Sequence, residues 1–239
     1  MLLTEHPLGR RLGAEALGTA TLVAVVVGSG IMATRLTTDV GLQLLINALA
    51  TVAALAVLIS ILGPVSGAHF NPAVTAVSVI QRGLRPVEAG AYVIVQVVGA
   101  VVGVAVADLM FNLPAWQTST HVRTGGGVWL GEVIATAGLL IVIGALTRTG
   151  RGNLGAVLVP AWIGAAYFFT SSTSFANPAV TIGRSLTDTF SGISPADVPV
   201  FIAFQLLGAA IGAGVVMMLY PRQGRPEPLD LPEPIHELS

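Results

Sequence analysis

The pentapeptide Asn-Pro-Ala-Val-Thr occurs twice, at Asn71–Thr75 and again at Asn177–Thr181, each time at the head of a short apolar segment. Asn is a favoured N-cap and Pro a favoured first helical residue, so both copies read as helix starts. The segments they open, 71–81 and 177–187, fall well short of the roughly twenty residues that a helix needs to cross the hydrocarbon of a bilayer. Each reaches about half way.

The rest of the chain says what surrounds them. Of its 239 residues 54% are hydrophobic and 10% charged, with mean hydropathy +0.82, a composition that excludes an ordinary soluble globule. Six stretches are long and apolar enough to span: 12–32, 41–62, 87–108, 128–147, 153–170 and 198–220. An even count puts both termini on one side. All 11 basic residues are Arg, and a cytoplasmic N-terminus places Arg10, Arg11, Arg82, Arg85, Arg148, Arg151, Arg222 and Arg225 inside, with Arg35, Arg123 and Arg184 outside. That is the positive-inside pattern, expected here for a cell inner membrane. Residues 1–11 form a cytoplasmic N-terminus with no small-residue cleavage site after it, so the first apolar run is retained as a span. Residues 221–239, rich in Pro and acids, read as a disordered cytoplasmic tail. A net charge of −1 gives no reason for a nucleic-acid partner. The absence of Cys rules out disulfides, thiolate nucleophiles and Cys-held metals, and no cofactor or metal is called for.

The duplication extends beyond the pentapeptides. Glu15 and Glu132 each precede a Thr by four residues, at Thr19 and Thr136, and Gln96-Val97-Val98-Gly99 matches Gln205-Leu206-Leu207-Gly208. Gly103 and Gly212 complete a small-xxx-small pair in each copy, suited to close helix approach. The repeats cover about 12–110 and 128–220 within a channel domain of 12–220. Three spans per copy, an odd number, insert the second copy upside down, so the two short helices meet start to start near the midplane. The expected fold class is an all-α membrane protein with six transmembrane helices and two re-entrant half-helices.

Irregular backbone at membrane depth must be buried in protein or wetted by a cavity, so the loops entering Asn71 and Asn177 point to a pore. Two positive helix ends converging on one spot oppose cations and protons. The Asn71 and Asn177 side chains can cap their helices with the carbonyl and offer an amide N–H to a passing oxygen. Glu15 and Glu132 are costly intramembrane carboxylates. Each is read either as a proton relay or as an acceptor for backbone N–H groups of its own re-entrant loop, and their equivalent repeat positions favour support. His69 admits a pH gate or a plain loop hydrogen bond. Ser66 with His69 raises an intramembrane hydrolase, although nucleophile and base three residues apart in one loop seldom face each other.

The stretch Ser66-Gly67-Ala68-His69-Phe70-Asn71-Pro72-Ala73-Val74-Thr75, with Asn177-Pro178-Ala179 and the paired glutamates, closely resembles the major intrinsic protein family of aquaporins and aquaglyceroporins over about 12–220. The resemblance implies a passive channel rather than an enzyme, assembled as a homotetramer with one pore per subunit in the lipid bilayer. It also implies a selectivity filter on one side of the motif pair, which ungapped counting assigns to Thr51, Ala165, Ser174 and Val180. Water-selective members usually carry an aromatic residue at the first position, His at the second and Arg directly after the second Asn-Pro-Ala. Thr51, Ala165 and Val180 stand there in this chain. Every replacement is smaller and the cation is gone, which implies a wider, less selective pore. Val in the last of these positions resembles a bacterial subgroup associated with arsenic resistance, implying small neutral solutes: glycerol-like polyols, arsenite or methylated arsenicals, and water. A water-selective pore is the alternative, and a proton-coupled transporter or hydrolase a remoter one. Arg184, one turn past Val180, either supplies charge to the vestibule or pairs with Asp188.

Overall fold

The computed structural model describes residues 6–221. The helices in chain order are α1 (Leu8–Leu36), α2 (Val40–Ser66), α3 (Pro72–Ile80), α4 (Pro86–Met110), α5 (Gly126–Arg148), α6 (Gly155–Phe169), α7 (Pro178–Arg184) and α8 (Val198–Leu219). A 3-10 turn over Gly152–Leu154 runs straight into α6. Six of these elements are long and apolar enough to cross a membrane, with mean hydropathy between 1.4 and 2.5 over their most apolar windows. The two that are not, α3 and α7, are the half-helices, and their N-termini face each other at mid-depth. Large apolar side chains such as Leu17, Val57 and Met218 stand on the outer faces, as they do when the solvent is lipid. Residues 222–239 of the acidic tail lie outside the described residues.

Some boundaries differ from the sequence expectation, for physical reasons. Helix α1 begins at Leu8 and takes in Arg10 and Arg11. Arg11 is no loop residue: it is buried and donates to Glu88 at 2.7 Å, while exposed Arg85 donates to the same carboxylate at 2.9 Å. A charged pair satisfied across α1 and α4 lets the helix extend past the point where the apolar run stops. Helix α2 continues through Pro64 and ends at Gly67, whose φ of +88° closes it in the left-handed conformation. Helix α7 stops at Arg184, earlier than the predicted 187.

The two copies pack alike. Helix α1 lies against α4 and α5 against α8 as the tightest pairs, and the paired glycines are what permit it. A Cβ on Gly99 would stand 2.5 Å from the Ala16 carbonyl oxygen, and one on Gly208 would stand 2.5 Å from that of Val133. Backbone cannot yield as a side-chain tip can, so α1 and α4 would have to part. Gly99→Ala is therefore expected to cost about 1–3 kcal/mol, read as a lowered Tm in detergent. Gly90→Ala on the same helix, where a Cβ meets nothing within 4 Å, should stay within about 0.5 kcal/mol of wild type.

Candidate functional site

The two re-entrant loops set the site. Non-glycine residues adopt left-handed backbone at Ala68 (φ +49°) and Phe70 (+48°) in the first loop and at Thr173 (+60°), Ser174 (+54°) and Ala176 (+48°) in the second. Each such residue costs ~1–3 kcal/mol and persists only where its surroundings over-determine it. Two buried carboxylates do so. Glu15 accepts the backbone N–H of His69 at 3.0 Å and of Phe70 at 2.7 Å, with the Ser66 hydroxyl at 2.6 Å and Gln96 Nε2 at 2.9 Å. Glu132 accepts the N–H of Phe175 and of Ala176, both at 2.9 Å, and Gln205 Nε2 at 2.6 Å. Gln96 and Gln205 also donate to Thr75 and Thr181, one turn into the half-helices, at 3.0 and 2.9 Å. Loop, half-helix and supporting helices are thereby one hydrogen-bonded unit in each copy.

The asparagines lock the units together. Asn71 caps α3, its Oδ1 accepting the Ala73 N–H at 2.9 Å, while Nδ2 donates 2.8 Å to the Ala176 carbonyl of the other loop. Asn177 caps α7 through the N–H groups of Ala179 and Val180 at 3.0 and 3.3 Å, and its Nδ2 donates 2.7 Å to the Phe70 carbonyl. An amide nitrogen carries two hydrogens, so one bond across the interface leaves a second donor on each side chain, and both asparagines line the central cavity.

That cavity encloses about 1110 Å³ and runs from His6 and Arg82 past the asparagines to Val180 and Arg184. Of the residues assigned to the filter by counting, Thr51, Ser174 and Val180 lie on its wall and are buried. Ala165 does not: it is exposed on the outer face of α6, bordering a surface groove with Trp162 and Tyr220. The face of α6 that looks inward carries Val159, Ile163 and Tyr167, spaced i, i+4, and Ala165 lies about 200° around the helix from Tyr167. Tyr167 stands on the cavity wall instead, its hydroxyl 3.2 Å from the Thr51 hydroxyl of the adjacent helix α2. Sequence reasoning missed it, although a Tyr on an otherwise apolar helix was a signal, because its hydroxyl seeks a wet or polar neighbour.

His69 also lines the cavity, its Nδ1 3.1 Å from the Thr75 hydroxyl and its ring 5.5 Å from that of Tyr92. Ser66 is buried and its hydroxyl is spent on Glu15. The Arg184–Asp188 pair does not form. Asp188 instead accepts the backbone N–H of Thr120 at 2.8 Å and its hydroxyl at 2.9 Å, bonds that hold its carboxyl below the usual range. Among the described residues no group of three or more His, Cys, Asp or Glu could hold a metal ion.

Such a bundle, with polar loops folded into its middle and an internal cavity reaching past them, defines a passive pore. The family model for major intrinsic proteins matches residues 3–176, and the chain belongs to that family. It is 52% identical over 217 residues to aquaglyceroporin AqpS of Rhizobium meliloti, covering 91% of this chain and 93% of that protein. A probable TIP-type aquaporin of Medicago truncatula is 31% identical over 198 residues, 76% of this chain and 77% of its own. A solved structure of an aquaglyceroporin from Plasmodium falciparum superposes with TM-score 0.64 at 22% identity, over 90% of this chain and 96% of the other, which shows the shared fold.

If Glu132 and Glu15 hold the loops, Glu132→Gln replaces an acceptor with an amide that cannot take all the donors. A loss of about 1–3 kcal/mol is expected, visible as lower folded yield and Tm at every pH. A normal Tm with pH-dependent flux would instead assign the carboxylate to proton transfer.

Proposed function

We propose that the chain is a passive channel for small neutral solutes carrying several hydroxyls, glycerol-like polyols and arsenite among them, with water as a further permeant. The observation that carries this reading is Val180: the position directly after Asn177-Pro178-Ala179 is a buried, cavity-facing aliphatic side chain that neither narrows the lumen with N–H donors nor adds charge there. Thr51 and Ser174 line the same cavity, and the likeness to a protein named an aquaglyceroporin agrees with it. Methylated arsenicals, which keep hydroxyls beside an apolar methyl, suit the mixed lining of Val180, Ser174 and Thr51.

In this reading a solute exchanges its water for the hydroxyls of Thr51 and Tyr167, then for the free amide donors of Asn71 and Asn177. The two half-helix N-termini orient its oxygens and oppose cations. Glu15 and Glu132 act as loop supports. The proposal extends to a homotetramer in a bacterial inner membrane with both termini cytoplasmic, which the Arg distribution supports. A water-selective pore is the second reading, favoured by an aromatic side chain, Tyr167, on the cavity wall beside Thr51.

Stopped-flow light scattering on proteoliposomes decides. Wild type should pass water, glycerol and arsenite, and Val180→Arg should lose glycerol and arsenite flux by about tenfold or more while keeping water, since a fixed guanidinium both fills and polarises the constriction. A wild type that passes water alone would sink the polyol reading.

A further inference from the structure

Arg184 ends α7 one turn beyond Val180 and is 4% exposed. Its guanidinium carbon lies 3.4 Å from the Phe175 ring centroid, and its Nε donates to the Ser191 carbonyl. Arg123 approaches the same ring at 5.1 Å, donating from Nε to the Gly192 carbonyl at 2.7 Å and from Nη2 to that of Phe190 at 3.4 Å. Three consecutive carbonyls of one loop thus hold two cations that converge on one aromatic face.

Among the described residues no carboxylate is within ion-pair distance of either arginine, and Glu132 acts on both through space without touching either. Asp188 is turned to Thr120, and Asp197 accepts the backbone N–H of Arg123 at 2.7 Å rather than its guanidinium. A carboxylate would have fixed each guanidinium and cancelled its charge; a carbonyl fixes it and leaves the charge standing. A buried cation without a contacting counter-ion is expensive unless water reaches it, and Arg184 lines the central cavity. With Nε spent on Ser191, the Nη groups are left for the lumen.

We propose that Arg184 is the fixed cation of this channel, a specificity-determining residue that repels cations, hydronium included, and donates to passing hydroxyls one turn away from the constriction. The inference rests on the channel reading above. Its content is a division of labour: Val180 keeps the lumen wide while Arg184, anchored beside it on Phe175 and Ser191, keeps it positive.

The chain contains no cysteine, so Arg184→Cys supplies a single thiol whose charge can be set by chemistry. Proton influx down a pH gradient would be followed in proteoliposomes holding wild type, Arg184→Gln or Arg184→Cys, with water and glycerol flux read in the same vesicles. Both variants should leak protons about tenfold or more above wild type while still passing water. Aminoethyl methanethiosulfonate, which adds an ammonium to the thiol, should restore exclusion in Arg184→Cys, and neutral methyl methanethiosulfonate should not. An unchanged leak, equal action of the two reagents, or failure of both variants to fold would overturn the proposal, the last by making Arg184 a structural residue. A wild type without glycerol flux removes the polyol reading alone, because the leak comparison is then read on the water-conducting pore.

Discussion

The constraint on which everything else depends is the satisfaction of backbone polar groups at the middle of a membrane. Hydrocarbon offers no partner to the N–H and C=O groups of a loop, and each one left bare costs several kcal/mol. Here the partners are supplied from within: Glu15 and Glu132 take the inward N–H groups, and Asn71 and Asn177 take the carbonyls of the facing loop. The glycine pairs belong to the same solution. Only because α4 can lie against the backbone of α1 at Gly99 and Gly103 does Gln96 reach both Glu15 and Thr75. Substituting a glycine and substituting a glutamate therefore strain the same unit from opposite ends.

The lumen solves part of the problem differently. Pro64 in α2 and Pro160 in α6 have no N–H to offer the carbonyls of Ser60 and Ala156. Both Ser60 and Ala156 lie on the cavity wall, where water can stand in for the missing donor.

Much of this was legible before any coordinates. Asn-Pro fixes a helix start by local chemistry, apolar length fixes the spans, and an odd number of spans per repeat fixes the inversion, so the half-helices and their meeting needed no tertiary information. What the pattern did not carry is rotation and reach. Counting along α6 kept the distance to the motif but not the face of the helix, which is why Ala165 falls on the outer face while Tyr167 lines the cavity. Arg11 and Arg184 are long side chains that chose partners far along the chain or in a loop of unpredictable path, Glu88 for one and Phe175 with Ser191 for the other. Spacing alone suggested an exposed loop cation for Arg11, and for Arg184 it left vestibule charge and a surface ion pair equally open.

The crossed asparagine bonds also order events in time. The chain is made from its N-terminus, so Asn71 enters the membrane well before Ala176, whose carbonyl it will bind, has been added. Until then the first re-entrant loop has its glutamate but not its second acceptor, and Phe70 has no donor for its carbonyl. The crossed bonds therefore close only once the inverted second half has been made, and they are the last contacts to join the two loops.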